Sequence, residues 1–410
     1  MSGDRAWTTG LRSACQHPEA AATAWRAGGG RVVGLLGWSA PRELVTAAGM
    51  LPVRLSPDRL AGPGPGALGR ALAPATARLA AALLSGALDW IDFLVIGRDR
   101  EDHTRLFYVL RELRRGGEAP GLVPVAFFDL LRLPSRTSAR YNRQRAAELA
   151  AVIAGWAGRP VTPADLAGAV EAAGVTAHSF GGIQALRTRP RPAITGTDAL
   201  AAAIAARLVP AGQLRPLLDA ALAAGGPAAP APAPRVTGPG PAARVFVAGS
   251  GTDDLLAYAA LEELDLAVVG EDHEWGDDGS EYPRATRDPL DGIVDRYQFA
   301  HGGAARAGPR DRVARTADRV RAAGADGVLY LLGPHDEAAG WELPPLRERL
   351  GAAIPLVPVR LRDPAPAGQR GRPEFSEAGR RLLAALGSAG TARGTQPAGT
   401  TSGAEAASRG

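Results

Sequence analysis

The densest group of side chains able to carry out chemistry lies in residues 270–283, GEDHEWGDDGSEYP. Its Glu271, Asp272 and His273 offer carboxylate and imidazole groups, which are common carriers of protons in acid–base catalysis. The segment directly follows an apolar run, residues 264–270, that predicts a buried strand. Because ligands of parallel sheets bind beyond the carboxyl ends of the strands, we expect a site residue among these three. A solvated acidic loop is the alternative interpretation.

Two further loops place polar side chains after predicted strands. Arg100 lies in one of them, and His335 and Asp336 lie in the other. If the two sheets face each other, five such loops line one cleft, namely 37–42, 97–103, 249–254, 270–282 and 333–342. Arg100 would then steady an anion while neighbouring groups move protons. The candidate catalytic set is Glu271, His273, His335, Asp336 and Arg100. Since the histidines show no ligand spacing such as HxxxH, no metal ligand is assigned.

A glycine-rich turn follows the apolar run 243–249 and reads GSGTDDLL. A strand-to-helix turn of this kind exposes backbone N–H groups at a helix N-terminus, where a phosphate can bind. Ser250, Gly251 and Thr252 are therefore the candidate residues for a phosphate-bearing ligand or cofactor. The turn is not a complete GxGxxG, and an ordinary tight turn is the alternative.

Apolar runs bounded by glycine or charged loops predict the strands that position these loops. The runs are RVVGLLG (31–37), DFLVIG (92–97), LVPVAFF (122–128), ARVFVAG (243–249), LDLAVVG (264–270), ADGVLYLLG (325–333) and AIPLVPVRL (353–361). Residues 138–222 predict helix throughout, and VTPADLAGAVEAAG begins with a threonine cap followed by proline. Because strand and helix alternate in two separate stretches, we expect an α/β fold of two doubly wound, Rossmann-like parallel-sheet domains with a helical insert between them.

The clearest boundary is AAGGPAAPAPAPRVTGPGPAA, whose proline content favours an extended spacer. We expect the N-terminus to be a loose extension and the C-terminus to be disordered. The predicted order is the extension (1–29), a first α/β domain (30–137), a helical segment (138–222), the linker (223–243), a second α/β domain (244–386) and the tail (387–410).

Composition argues against several classes of function. All 47 basic residues are arginine, and without lysine neither a Schiff-base enzyme nor a P-loop is expected. The net charge of +5 is spread along the chain, so no nucleic-acid partner is expected. No apolar run reaches the roughly 18 residues of a membrane span, and the polar start does not resemble a signal peptide, so we expect a cytoplasmic location. The one cysteine, Cys15, cannot complete a disulfide or a four-thiolate site.

Several segments resemble the subunits of the 2-hydroxyacyl-CoA dehydratase/benzoyl-CoA reductase family, of the 2-hydroxyglutaryl-CoA dehydratase D-component type. VVGLLGWSAPRELVTAAGMLPVRL (32–55) resembles the opening signature, and ARVFVAGSGTDDLLAYAALEELDLAVVGEDHEWG (243–276) resembles the start of the second domain. DPLDGIVDRY (288–297) and residues 321–361 follow in the family's order. The resemblance implies a two-domain protein that pairs with a related subunit. It also implies an iron–sulfur cluster held by three cysteines and supplied with electrons by an ATP-driven activator.

The three loops that carry the family's cluster cysteines contain no cysteine in this chain. Matching flanking residues places the three positions at Gly37, Arg100 and Asp336. Thiolate sulfur holds such clusters, and glycine, arginine and aspartate cannot replace it as a set. We therefore expect no cofactor, with the iron–sulfur cluster absent.

Three functions are compatible with these features. The leading hypothesis is a cluster-free auxiliary or non-redox subunit that binds an acyl-CoA or pairs with a cluster-bearing paralogue or a second copy of itself. The second is a cluster-free lyase that uses acid–base or mononuclear metal chemistry in the interdomain cleft. The third is a structural or regulatory paralogue with an empty cleft. The sequence leaves open whether this dehydratase-like chain is an enzyme.

Overall fold

The computed structural model of the chain describes residues 6–60, 71–225, 242–276, 288–299, 308–334, 336–362 and 372–394. Within these residues the chain forms two four-stranded sheets, one in each half, surrounded by helices. All pairs of neighbouring strands in the described residues are parallel. The predicted α/β architecture with two parallel sheets is confirmed.

The first sheet has the strand order β2–β1–β3–β4. Its strands are β1 (Val32–Leu36), β2 (Leu51–Arg54), β3 (Phe93–Gly97) and β4 (Val125–Phe128). β1 is buried along its whole length, as expected for a strand in a sheet whose two faces are covered, and this explains its unbroken apolar sequence. Val33 of β1 lies opposite Pro52 of β2 and Phe93 of β3.

β2 is a strand that the sequence analysis does not predict. Its sequence, LPVR, contains Pro52, which has no N–H to donate and argues against a strand in the middle of a sheet. In the structure β2 lies at the edge of the first sheet and pairs only with β1. A proline is tolerated there because one side of an edge strand needs no strand partner.

The second sheet repeats this order as β6–β5–β7–β8. Its strands are β5 (Ala243–Gly249), β6 (Leu266–Asp272), β7 (Gly327–Leu332) and β8 (Leu356–Arg360). β5, β7 and β8 fall within predicted apolar runs. β6 begins within the run 264–270 but continues through Glu271 and Asp272, which the sequence analysis assigns to the loop after the strand. In each sheet the strand order reverses direction at one point, between β1 and β3 and between β5 and β7, and crevices for ligands open at such points.

Helices cover the sheets and form the insert between them. They are α1 (Ala6–Gln16), α2 (Pro18–Ala27), α3 (Arg42–Ala47), α4 (Pro74–Leu84), α5 (Glu101–Arg115), α6 (Arg136–Ala157), α7 (Pro163–Arg187), α8 (Gly196–Ala205), α9 (Ala211–Ala224), α10 (Leu255–Glu262), α11 (Pro289–Phe299), α12 (Pro309–Ala322), α13 (Glu337–Leu350) and α14 (Arg372–Gly394). The predicted cap begins α7: Thr162 Oγ1 accepts from the N–H of Asp165, whose carboxylate accepts from the N–H of Thr162.

α8 joins the two halves of the protein. Every residue from Gly196 to Ala205 is buried, and α8 packs against α1, α10 and β6. One apolar core contains residues of β1 and β3, of α8, and of β5 and β7. The two α/β units therefore share a core through α8, because every residue of this helix is buried between them.

The N-terminal residues are not a loose extension, since α1 and α2 occupy them and α1 packs against α8. Arg12 forms an ion pair with Asp198 at 2.7 Å. Cys15 is buried, and its Sγ donates to the carbonyl oxygen of Ala201 at 3.3 Å. Burial raises the pKa of Cys15 to about 12, so the thiol stays protonated and is a poor nucleophile or metal ligand.

Two predicted flexible segments fall partly beyond the described residues. Residues 226–241 of the linker and residues 395–410 of the tail lie outside them. α14 continues to Gly394, so residues 387–394, which the sequence assigns to the disordered tail, are helical. None of the helices in the described residues has the length and apolar character that a membrane span requires.

Candidate functional site

Loops from both sheets meet in one cavity of about 720 Å³, which we call the cleft. They follow β1, β3, β5, β6 and β7, so each leaves the carboxyl end of a parallel strand. Ligands of such sheets bind at this edge, and the five loops are those that the sequence predicts to converge. Among the residues in the cleft wall are Trp38, Asp99, Arg100, Ser250, Gly251, Glu274, Arg312 and Asp336.

Asp99 is held at the end of β3 by three hydrogen-bond donors. Its side chain is fully buried. Oδ2 accepts from the N–H groups of Trp38 and Ser39 at 2.7 and 3.1 Å, and Oδ1 accepts from Arg132 at 3.0 Å. Hydrogen bonds to an ionised carboxylate are among the stronger ones in proteins, so Asp99 has a single well-defined position.

Gly37 lies directly against this carboxylate. Its φ of +90° is in the region that favours glycine. A Cβ atom on residue 37 would also overlap Oδ2 of Asp99. Both the backbone conformation and the position of Asp99 therefore require glycine here, and the loop presents the neighbouring Trp38 to the cleft.

Arg100 precedes α5 and faces carboxylates across the cleft. Its guanidinium lies 3.9 Å from Glu274, and its side chain is 39% exposed. Burial disfavours the charged form of Arg100, but the carboxylates of Glu274, Asp336, Asp58 and Asp102 together outweigh it, so the pKa is raised. Arg54 approaches the other oxygen of Glu274 at 3.3 Å and stacks 4.0 Å from the ring centroid of Trp275. Glu274, which follows β6 of the second sheet, thus pairs with two cations of the first half.

Asp336 and Ser250 form a hydrogen-bonded pair on the side of the second sheet. The Ser250 hydroxyl donates to Oδ2 of Asp336 at 2.8 Å and accepts from the N–H of Gly333 at 2.8 Å. Oδ1 of Asp336 accepts from the N–H of Ala339 at 3.3 Å and thereby caps α13. Both carboxylate oxygens of Asp336 are consequently engaged within the protein.

The glycine-rich turn brings Ser250 and Gly251, but not Thr252, to the described cleft wall. Gly251 packs closely against Glu274, whose side chain a Cβ atom at residue 251 would overlap. Thr252 Oγ1 accepts from the N–H of Asp254, and the Asp254 carboxylate caps α10. A carboxylate thus already lies at this helix N-terminus, so the turn is poorly suited to a phosphate there.

Glu271 does not reach the cleft. It forms an ion pair with Arg187 of α7, and the two side chains are 1% and 0% exposed. Two guanidinium nitrogens of Arg187 donate to the carboxylate, and Gln184 accepts from the same arginine at 2.9 and 2.6 Å. Burial alone would raise the pKa of Glu271, but the charge of Arg187 lowers it. Glu271 is therefore ionised and held in a buried ion pair in the core.

His273 is buried in the same network. Nδ1 accepts from the N–H of Trp275 at 3.3 Å, which assigns the proton of the neutral ring to Nε2, 2.9 Å from the hydroxyl of Tyr258. Tyr258 in turn hydrogen-bonds to Glu271. Burial lowers the pKa of His273 to about 4, so the ring is neutral near pH 7. The proton transfers predicted for Glu271 and His273 in the cleft find no support in this placement, because both groups bond to core partners.

The structure therefore brings together only part of the candidate set. Arg100 and Asp336 face the same cleft, together with Ser250 and Gly251. His335 lies outside the described residues. Within the described ranges, no group of three or more histidine, cysteine, aspartate and glutamate side chains is arranged to hold a metal ion.

Asp99 and Arg312 are cleft residues that the sequence analysis does not single out. Asp99 lies two residues beyond β3, and this position after a parallel strand is the signal that would have identified it. Arg312 comes from α12, where no strand signal exists. In the described wall, carboxylates outnumber guanidinium groups: the acidic residues are Asp99, Glu101, Asp102, Glu274, Asp336 and Glu337, and the basic ones are Arg100, Arg105 and Arg312.

The sequence that forms this cleft also matches a known protein family. The family model for the 2-hydroxyglutaryl-CoA dehydratase D-component matches residues 37–360. The match extends from the loop after β1 to the end of β8 and includes every loop of the cleft. Comparison with curated proteins returned no match to the chain.

Proposed function

Because the chain belongs to the 2-hydroxyglutaryl-CoA dehydratase D-component family, we propose that it is a subunit without an iron–sulfur cluster that binds an acyl-CoA in the cleft and transfers no electrons. The observation that carries this proposal is the relationship between Gly37 and Asp99. Residue 37, the first position matched to a cluster cysteine, has no side chain, and the Asp99 carboxylate fills the space for one.

The side chains at the three matched positions do not fit an iron–sulfur cluster. Such clusters bind to thiolate sulfur, and the one cysteine of the chain, Cys15, is buried against α8. Arg100 contributes a cation beside Glu274. Asp336 contributes a carboxylate that already accepts from Ser250 and from the first turn of α13. No step of the proposed function passes through a cluster.

The size and charge of the cleft suggest how an acyl-CoA would enter. A volume of about 720 Å³ is within the range of small-molecule sites, roughly 300–1,000 Å³. Because carboxylates outnumber guanidinium groups in the wall, the uncharged pantetheine arm is favoured inside and the phosphates are favoured at the rim. Arg105 lines the cleft with a side chain that is 59% exposed, and its guanidinium is suited to a phosphate at the rim.

Arg100 is the residue we assign to the acyl end of the ligand. Glu274 holds its guanidinium at the cleft wall, and the opposing Asp336 helps to keep it charged. Guanidinium N–H groups donate well to carbonyl and carboxylate oxygens. Since Glu271 and His273 bond to core partners, the proposed function assigns no proton transfer to them.

An exposed tryptophan supports the pairing of this chain with another subunit. Trp341 on α13 is 82% exposed, and α13 begins with two residues, Glu337 and Ala338, that line the cleft. Tryptophan is enriched in protein interfaces and in their energetically dominant residues. We therefore place the partner, a cluster-bearing paralogue or a second copy of the chain, over α13 beside the cleft.

The proposal is tested on full-length protein purified without oxygen. We expect iron and acid-labile sulfide well below one per chain, together with saturable binding of butyryl-CoA by calorimetry. Arg100→Gln should weaken that binding at least tenfold. Arg380→Gln, at a guanidinium 60% exposed on α14, is the matched control and should leave binding unchanged.

Two outcomes would overturn different parts of the proposal. About four irons and four sulfides per chain would overturn the absence of a cluster. Protein that binds no butyryl-CoA and stays monomeric, both alone and with a cluster-bearing paralogue, would overturn the role as a ligand-binding subunit.

A further inference from the structure

A second cavity, of about 140 Å³, lies beside the cleft, and we call it the inner pocket. It is bounded by the loop after β1, by α3 and α7, and by the segment that follows α8. Trp38 lines both cavities. An apolar cavity of about 150 Å³ holds benzene, so the inner pocket takes a ligand of about six non-hydrogen atoms.

Guanidinium groups dominate the polar wall of the inner pocket. Its lining arginines are Arg42, Arg54, Arg207 and Arg296, and its lining carboxylate is Glu43. Glu43 is 1% exposed and accepts from Arg296 and from the Tyr297 hydroxyl, both at 2.9 Å. Glu43 is thus paired with Arg296, and the lining Arg54 is paired with Glu274. With both carboxylates counted, the four guanidinium groups still leave the pocket wall with an excess of positive charge.

Arg42 carries a charge that its surroundings disfavour. One guanidinium nitrogen donates to the carbonyl oxygen of Ala206 at 2.6 Å. Burial lowers the pKa of Arg42, and although Glu43 and Tyr297 oppose this effect, the cation of Arg207 reinforces it. An anion bound in the pocket would offset both burial and the repulsion between cations.

The opposite wall of the inner pocket, formed by α7, is mostly apolar. Thr176 in this wall donates to the carbonyl oxygen of Ala172, and the apolar side chains are Ala169, Ala172, Ala173, Ala177 and Phe180. These side chains offer no hydrogen bond but leave room for a short hydrocarbon, whose burial is favourable. Inorganic phosphate has no apolar part to place against them, whereas a short-chain carboxylate has both a charge and a hydrocarbon.

We propose that the inner pocket binds a free short-chain carboxylate of about three to five carbons, sized to the cavity, with its carboxylate at Arg42 and its hydrocarbon against α7. The site is separate from the cleft, and its occupancy does not depend on acyl-CoA binding there. The arginines supply charge-assisted hydrogen bonds to the carboxylate, and the alanines of α7 set the length of the chain that fits.

Calorimetry on the full-length protein at constant ionic strength tests this site with three probes. Butyrate carries both the charge and the hydrocarbon, butyramide has a similar shape without the charge, and inorganic phosphate has charge without hydrocarbon. We expect saturable binding of butyrate, with butyramide and phosphate at least tenfold weaker. Equal binding of butyramide or of phosphate would overturn the proposal.

Two variants locate the binding in the inner pocket. Arg42→Gln removes the charge, and Ala173→Leu fills the pocket from α7 without removing any charge; each should weaken butyrate binding at least tenfold. If Arg42→Gln does not fold, Ala173→Leu alone is sufficient to test the site. Arg380→Gln on α14 is the control and should bind butyrate like the parent chain. Butyrate binding that persists in Ala173→Leu would overturn the proposed site.

Discussion

The carboxylate of Asp99 occupies the space in which a side chain on residue 37 would begin, and Gly37 leaves that space free with a backbone φ of +90°. Asp99 is itself fixed by the N–H groups of Trp38 and Ser39 and by Arg132. The glycine backbone and the anchored carboxylate thus depend on each other. A cysteine cannot be restored at residue 37 without moving Asp99.

We expect Gly37→Cys to destabilise the chain and to bind no cluster after anaerobic treatment with iron and sulfide. The positive φ alone costs a non-glycine residue about 1–3 kcal/mol, and displacement of Asp99 adds to this. Urea unfolding and iron and sulfide assays measure the two effects. In the control, Gly155→Ala on α6, the new Cβ meets nothing within 4 Å, so stability should be kept or rise by about 0.5–1 kcal/mol. A fully stable Gly37→Cys protein would contradict the role given to Asp99.

Glu271→Gln should destabilise the fold without acting on the cleft directly. It leaves the Arg187 guanidinium, which has no exposed surface, without its carboxylate, and breaking such a pair costs about 3–5 kcal/mol. The free energy of unfolding in urea measures the loss. Asp219→Asn breaks the exposed pair with Arg215 on α9 and should change stability by less than about 1 kcal/mol. Equal effects of the two substitutions would show that Glu271 is not a core ion-pair residue.

Glu262 and His273 should make the free energy of unfolding depend on pH in opposite directions. Burial raises the pKa of Glu262 from 4.5 to about 7, against the hydrogen bonds from Thr197. Between these values the folded state keeps a proton that the unfolded state has lost, so stability falls as pH rises. Burial lowers the pKa of His273 from 6.5 to about 4. Between those values only the unfolded state gains a proton, so stability falls as pH falls, and the two dependences oppose each other from pH 4.5 to 6.5.

Substitution of Glu262 separates the two contributions. Glu262→Gln removes the contribution that opposes that of His273, so stability should rise between pH 4.5 and 6.5 by up to about 1.4 kcal/mol per pH unit more steeply than in the parent chain. Urea unfolding at pH values from 4 to 8 measures both curves. Parallel curves for the two proteins would show that Glu262 does not titrate as described.

Cys15 should be unreactive in the folded protein. Burial raises the pKa of its thiol to about 12, and reaction with an alkylating or disulfide reagent requires the thiolate. We expect one thiol to react in denaturant and essentially none in its absence. Rapid reaction of the native protein would show that α1 detaches from α8 on the timescale of the assay.

Trp341→Glu should disrupt pairing while leaving the single chain stable, because the Trp341 side chain is 82% exposed. We expect at least tenfold weaker association with a second copy or a paralogue, measured by sedimentation. Val152→Glu, at a residue 43% exposed on α6, should not alter association. Unchanged pairing of Trp341→Glu would exclude α13 as the contact surface.

The sequence predicts the architecture well because its signals are local. Strands covered on both faces appear as unbroken apolar runs, and the cap at Thr162 lies three residues from Asp165. β2 is not predicted, because a proline such as Pro52 is compatible with a strand only at the edge of a sheet, and the sequence does not show that β2 lies there. Parallel topology places the loops of each sheet at one edge, so that edge is also predictable from the sequence. The meeting of the loops of both sheets in one cleft is decided by the tertiary structure.

The sequence by itself determined the two parallel sheets, the edge of each sheet at which its loops lie and the absence of cysteine from those loops, since each follows from residue types along short segments. Only the tertiary structure decided which polar side chains face the cleft. Glu271 follows the same pattern as a cleft residue but pairs with Arg187, 84 residues away, in the core. Asp99 reaches Trp38 across 61 residues and fills the space beside Gly37. Such partners meet only when distant segments pack, because burial and charge pairing act across space rather than along the chain.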